Sequence, residues 1–254
     1  MRVQQARLPH VAWGFNFTTL PRGPLRRLMG AAFTQVDRFI VYSTMEKEVY
    51  TDYFGIDPRR VDVVLWGVGH PQVEPKGVPL ETGDYICALG GNARDYRTLF
   101  AAMARWPQIP LVAVLRPENI AGLTVPANVR LHFNISSGRA NNILAHSRFM
   151  VLPLSAQDVP CGHVTLVAAM HLRKAMIISR SSGVSDYVQD GVNSLCVPVG
   201  DADALAMRID ELWNHRRLAD ELADAGHAFA LRYCSEDSIK SHLRKVLLDY
   251  GLPV

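Results

Sequence analysis

Between Gly162 and Asp201 the chain runs GHVTLVAAMHLRKAMIISRSSGVSDYVQDGVNSLCVPVGD, and the order of residue types in that segment leaves room for few folds. Gly162 frees the backbone, and Thr165 to Leu172 is rich in helix formers. Ala175-Met176-Ile177-Ile178 is a short apolar run of the kind buried parallel strands use. Ser179 to Gly183 is a loop of mostly small residues at the carboxyl end of that strand, where open α/β sheets bind ligands. A helix N-terminus, this loop and the carboxylate of Asp186 are expected to meet at one crevice. The unpaired N–H groups of a helix N-terminus carry roughly half a positive charge and suit a phosphate.

The remaining chain repeats the alternation. Strands are expected near Leu8–Trp13, at Phe39–Tyr42, and at Val61–Leu65. Gly23–Phe33 is expected to be helical, and Ser43 or Thr44 caps the helix that follows and ends near Gly55. Residues 70–83 contain three prolines and two glycines, a linker composition. Beyond them strands are predicted at Tyr85–Leu89, Leu111–Leu115, Val129–Phe133 and Phe149–Leu152, with helices over Asp95–Ala104 and Gly138–His146. Three helices end the chain. The expected fold class is α/β with Rossmann-like parallel sheets. The expected division is 1–69, a linker at 70–83, a second domain at 84–235, and a final helix at 236–254.

Composition narrows the function classes. The chain has 254 residues, 48% hydrophobic and 20% charged, enough for one large or two modest domains. A net charge of +3 is too small to argue for nucleic acid. No apolar run reaches the roughly 18 residues of a membrane span. The four cysteines are scattered without a C-x-x-C pair, which favours reduced thiols over zinc.

The wording of Gly162–Asp201 resembles the donor-binding half of GT-B glycosyltransferases, specifically the retaining family 4 (glycosyl transferases group 1). Ala169-Met170, Lys174, Ser179, Gly183, Asp186, Val188, Asp190-Gly191, Leu195, Val197-Pro198 and Gly200-Asp201 fall in register with that family's pattern. Residues 39–68 are similar to the end of its first domain, with Gly67-Val68 on the closing Gly-Val. The resemblance implies a complete C-terminal donor-binding domain, a last helix packed back across the hinge, and an N-terminal, acceptor-side domain that is incomplete. At ~30 residues per βα unit, about 100 residues of that first domain are missing from the pattern. The family's two glutamates would fall on Pro160 and Ala168, neither of which can accept a hydrogen bond from a sugar through its side chain. Asp158 is the nearest carboxylate to the first of them, and the resemblance makes it a candidate catalytic group.

Several candidate donor-binding groups follow. Gly90, Gly91, Asn92 and Arg94 occupy a strand-to-helix turn where glycines allow close backbone approach and Arg94 offers a guanidinium fork to phosphate oxygens. Arg94-Asp95-Tyr96-Arg97-Thr98-Leu99 matches a variant of the family's basic motif, so the resemblance makes Arg94 the stabiliser of the leaving diphosphate; the alternative is a solvated arginine on a glycine-rich turn. Gly162, His163, Val164 and Thr165 would offer backbone N–H groups, and Asn134 flanks the same sheet edge. Ser182 and Gly183 belong to the loop, and Asp186 either binds a ribose hydroxyl or caps the turn Ser185–Val188. Arg22, Arg26 and Arg27 beside Leu25, Leu28, Met29 and Phe33 make 23–33 either a membrane-contacting helix or an ordinary surface helix.

The expectation is a glycosyltransferase that moves a sugar from a nucleotide diphosphate sugar to an unspecified acceptor with retention. It would be cytoplasmic, with possible contact to the inner membrane face, and would need neither metal nor other cofactor. The competing expectation is a non-catalytic or split-enzyme subunit that binds the sugar nucleotide, working with an N-terminal-domain partner or as a homo-oligomer.

Overall fold

A computed structural model describes residues 8–14, 20–158 and 160–253. Among the described residues nine strands form two sheets, both wholly parallel. The first contains β1 (Val11–Trp13), β2 (Arg38–Val41) and β3 (Val61–Val63) in that spatial order. Around it lie α1 (Gly23–Phe33), the five-residue α2 (Thr44–Glu48), and a π-helical turn at Val49–Tyr53 that continues α2. The helix expected to run to Gly55 is therefore two differently wound pieces, and Gly55 closes them at φ 73°.

The second sheet comprises β4 (Ile86–Leu89), β5 (Leu111–Leu115), β6 (Val129–Phe133), β7 (Met150–Leu152), β8 (Met176–Ser179) and β9 (Leu195–Val197). Its spatial order is β6-β5-β4-β7-β8-β9. The connections run one way from β4 and the other way from β7, so the order reverses between these two strands. In doubly wound sheets that reversal opens a crevice at the strands' carboxyl ends.

Side-chain alternation explains why the strands read as continuous apolar runs. In β4, Ile86 and Ala88 join a core with α3 (Tyr96–Met103) and α6 (Ala202–Asn214), while Cys87 and Leu89 join the opposite core with α4 (Ser137–His146), α5 (His163–His171) and α7 (Arg216–Tyr233). Both faces are covered, so both residue sets must be apolar. Each fully buried Ile or Leu contributes roughly 1.5–3 kcal/mol.

The helix starts follow local chemistry. Asp95, Ser136, Asp201 and Ser235 each accept an N–H of their own helix's first turn. The last helix, α8 (Glu236–Asp249), packs against the first sheet: its Val246 is fully buried with Ile40 and Val64. Arg38 reaches from β2 to Asp249 at 2.7 Å. Residues 70–83 are held against α4, because Asn142 bonds Leu80 N–H and the carbonyls of Pro75 and Val78. The composition of this segment indicated a linker; the buried Asn142 amide ties it down.

Candidate functional site

The loops that leave β4 and β7 lie side by side at the reversal point. Asp95 N–H donates to Pro153 O at 2.9 Å and Ser155 N–H to Ala93 O at 3.1 Å, so the two loops are laced together. They open a cavity of about 660 Å³ lined by Gly90, Gly91, Asn92, Arg94, Gly162, His163, Val164 and Thr165, all expected from the sequence. Arg116, Trp13, Gly14, Tyr42 and Trp66 line it as well, together with Cys161.

Gly90 sits at φ 104°, a conformation that a side chain rarely adopts, and a Cβ there would lie 2.9 Å from Arg94 Nη2. The guanidinium folds back beneath this turn. Its Nε donates to Leu89 O (3.2 Å), Nη1 to Asn92 O (2.7 Å) and Nη2 to Thr165 Oγ1 (3.4 Å). No carboxylate among the described residues pairs with it, and burial lowers its pKa. A desolvated cation facing a cavity without a counter-ion favours an anionic ligand.

On the other wall, α5 begins at Gly162 (φ 107°), which supplies no side-chain cap to the helix. The helix N-terminus therefore faces the cavity with its positive dipole end unneutralised. His163 is buried and directs Nε2 to Gly183 O at 2.6 Å. A carbonyl only accepts, so the proton is on Nε2. Burial is the largest influence on this ring and lowers its pKa, which keeps it neutral. His163 lies between Tyr42 and Tyr187, at centroid distances of 6.2 and 5.0 Å. Trp66 packs edge-on to Tyr42, and its Nε1–H is buried without a partner.

Other expected residues lie elsewhere. Asn134, at φ 51°, lines an adjoining cavity of about 290 Å³ that shares Gly90, Gly91, Arg116, Val164 and Thr165 with the first. Ala168 lines this smaller cavity too, presenting a methyl group where the family pattern has a glutamate. Asp158 and Ser182 line a different cavity on the N-terminal side, where Ser182 Oγ donates to Asp158 Oδ1 at 3.3 Å. Gly183 is buried and lines none of these cavities, since its carbonyl is taken by His163.

Asp186, expected in the crevice or as a cap of Ser185–Val188, lines none of the cavities described above. Its carboxylate accepts Thr44 N–H (2.7 Å) and Thr44 Oγ1–H (2.8 Å) from the start of α2. Beside it Tyr187 OH donates to Tyr42 O (2.7 Å) and accepts Trp66 N–H (2.8 Å). This pair of residues ties the two sheets together. Local sequence could not show it, because the partners lie 121, 142 and 145 residues away.

Sequence reasoning missed Arg116, Tyr42, Trp13 and Trp66. The signal was present: each sits at or just past the carboxyl end of a strand, β5, β2, β1 and β3 respectively, and ligands collect at such ends. The four cysteines are buried without disulfides, and burial pushes Cys87 and Cys234 up to about 12. Among the described residues no group of His, Cys, Asp and Glu is arranged to hold a metal, and no helix is long and apolar enough to cross a membrane.

Comparison with known proteins agrees with this architecture. Residues 118–229 match the family model described as Glycosyl transferases group 1. The lipopolysaccharide core biosynthesis glycosyltransferase LpsE of Rhizobium meliloti (strain 1021) is 25% identical over 149 residues, 58% of this chain and 44% of that protein. The chain thus spans less than half the length of the curated relative it matches. Among solved structures, Anabaena Alr3699/HepE in complex with UDP superposes with a TM-score of 0.79 at 16% identity, covering 95% of this chain and 72% of that one. Sucrose-phosphate synthase from Thermosynechococcus elongatus gives 0.74 at 18% identity, covering 89% and 61%. The sheet order, the crevice at its reversal and these matches identify a GT-B fold, in which residues 118–229 are similar to the family described as Glycosyl transferases group 1.

Proposed function

We propose that this chain binds a uridine diphosphate sugar in the 660 Å³ cavity and takes part in transferring the sugar to an acceptor with retention. One observation carries the reading: the Arg94 guanidinium, which has no carboxylate partner among the described residues, and the N-terminus of α5, which has no side-chain cap, converge on the same cavity from two different loops. Both complement a diphosphate, and both would gain strength as the bond to the anomeric carbon lengthens and charge collects on the leaving group. The acceptor oxygen forms the new bond from the face the diphosphate leaves, and its proton passes to the departing phosphate oxygen. No protein nucleophile is needed, in keeping with thiol pKa values raised by burial at Cys161 and Cys196. Arg116, which lines both this cavity and the Asn134 cavity, lies where it can contact the phosphates or the nucleoside. We assign 1–69 to the acceptor side, 70–83 to the linker, 84–235 to the donor side and 236–254 to the crossing helix. The reaction requires no metal or other cofactor and takes place in the cytoplasm.

A second reading has its own support. Pro160 and Ala168 stand where the family pattern has glutamates, and Asp158 does not reach the Arg94 cavity. On that reading the chain is a sugar-nucleotide-binding subunit that works with a partner or as a homo-oligomer. Calorimetric titration with UDP, UDP-glucose and a GDP-sugar, combined with an assay for sugar release, separates the two. UDP binding with release or transfer supports the first reading, UDP binding without turnover supports the second, and no nucleotide binding overturns both.

Membrane contact through α1 is a further part of the proposal. No residue of α1 is buried, and Leu25 and Leu28 are 54% and 68% exposed beside Arg22 and Arg27. Such a face suits an anionic bilayer. Co-sedimentation with phosphatidylglycerol vesicles, lost in Leu25→Glu/Leu28→Glu, is the check.

A further inference from the structure

The Arg94 crevice opens at the carboxyl ends of the second sheet. At the opposite, amino-terminal ends lies a cavity of about 250 Å³. The segments that enter β4, β7 and β8 frame it, and the start of α7 lines it as well. Its volume falls below the roughly 300–1,000 Å³ of sites that hold drug-sized ligands, so it suits something smaller. Four cations line it, Arg148, Arg173, Lys174 and Arg216, against two carboxylates, Asp84 and Asp220.

Two of these cations are already engaged. Arg173 pairs with Asp224, which does not line the cavity. Arg148 stacks over the Trp213 ring at 4.2 Å, donates to Trp213 O at 2.7 Å and lies 3.5 Å from Asp84. Lys174 and Arg216 differ: among the described residues neither has a carboxylate within ion-pair distance. Lys174 Nζ donates to Ser147 O at 2.8 Å, which uses one of the three donors of an ammonium group. Burial is the largest influence on Lys174 and lowers its pKa, and the charge of Arg216 lowers it further. Asp220 offsets part of this repulsion without closing an ion pair. Two like charges at one small cavity repel each other, and an anion seated between them replaces that repulsion with charge-assisted hydrogen bonds.

We propose that this cavity is a second anion site, in which Lys174 and Arg216 hold a phosphate-sized oxyanion, either orthophosphate or the phosphate group of a small monoester. Lys174 leads into β8 and Arg216 opens α7, so the bound anion links that helix to the amino end of the sheet. A ligand held only by the folded chain stabilises it by mass action. The assignment stands apart from the transferase reading, because the two sites lie at opposite ends of the same strands.

The test titrates the protein with sodium phosphate and with glycerol 3-phosphate, by calorimetry and by thermal denaturation, against sodium chloride at equal ionic strength. At least one of the two phosphates is expected to bind and to raise Tm beyond the chloride control. Arg94→Met separates this site from the crevice, and affinity there is expected to stay within about twofold of wild type. Arg216→Ala is expected to weaken binding about tenfold, and Asp220→Asn to tighten it about threefold. Both change exposed residues, so they decide the matter even if Lys174→Met, expected to abolish binding, fails to fold. Binding of orthophosphate alone assigns the free ion, and binding of glycerol 3-phosphate alone assigns the monoester. The proposal is overturned by a phosphate effect no larger than that of chloride, by affinity indifferent to both Arg216→Ala and Asp220→Asn, or by loss of binding in Arg94→Met. UDP affinity is expected to be unchanged in Arg216→Ala, so this site and the donor reading fail independently.

Discussion

Replacing Arg94 by Met removes the charge and keeps most of the side-chain volume, so ligand binding and stability respond differently. A guanidinium that grips a diphosphate through two charge-assisted hydrogen bonds contributes about 1.5–3 kcal/mol per bond. A unit charge pair at ~4 Å and an effective dielectric of ~20 gives a similar total, about 4 kcal/mol. A net loss of about 3–4 kcal/mol weakens UDP binding on the order of 10²–10³-fold. Without ligand the balance differs. The variant loses the bonds to Leu89 O, Asn92 O and Thr165 Oγ1 but also relieves a desolvated charge that has no counter-ion. These effects oppose each other, and the expected net change is within about 1 kcal/mol, or roughly 2–4 °C in Tm. Calorimetry gives the first quantity and thermal denaturation the second. UDP at ~100 times the wild-type Kd should stabilise wild type by about 2.7 kcal/mol and Arg94→Met by less than about 0.5 kcal/mol. Nearly unchanged UDP affinity, or a ligand-free variant destabilised by about 4 kcal/mol, would show that Arg94 is a structural residue and refute the argument.

Gly67→Ala should lower stability by about 1–3 kcal/mol in calorimetric melts, because its Cβ would lie 2.6 Å from Ser235 O and 2.8 Å from Ile239 Cγ1, where backbone must move. Asp186→Ala should reduce stability by about 1–3 kcal/mol in urea titrations while leaving UDP affinity within a factor of three; a tenfold loss of affinity would restore the ribose role for this carboxylate. Burial raises the Glu46 pKa, so its contribution to stability is full below the ordinary carboxylate range and is lost as pH rises through the raised value. Glu46→Gln should abolish that decline in denaturant unfolding followed from pH 4 to 8. The His163 pKa is lowered, so its contribution is present above the unfolded value of about 6.5 and lost as pH falls below it; His163→Gln should lessen acid destabilisation between pH 7.5 and 5.

Local sequence determined a good deal of this protein. The apolar runs at 86–89, 111–115 and 176–178 are strands because both sheet faces are covered, and alternation sends Ile86 and Cys87 into opposite cores. Ser43, Asp95, Asp201 and Ser235 start helices because a side-chain oxygen can accept a first-turn N–H. Gly90 and Gly162 mark turns at positive φ. Periodicity and capping act over a few residues, so these features could be read directly. The tertiary structure alone decided which side chains meet. It brought Trp13, Tyr42 and Trp66 opposite Arg94 and turned Asp186 from the crevice to Thr44. Each of these juxtapositions depends on how the two sheets and α8 pack together, and residue spacing along the chain carries no record of that packing.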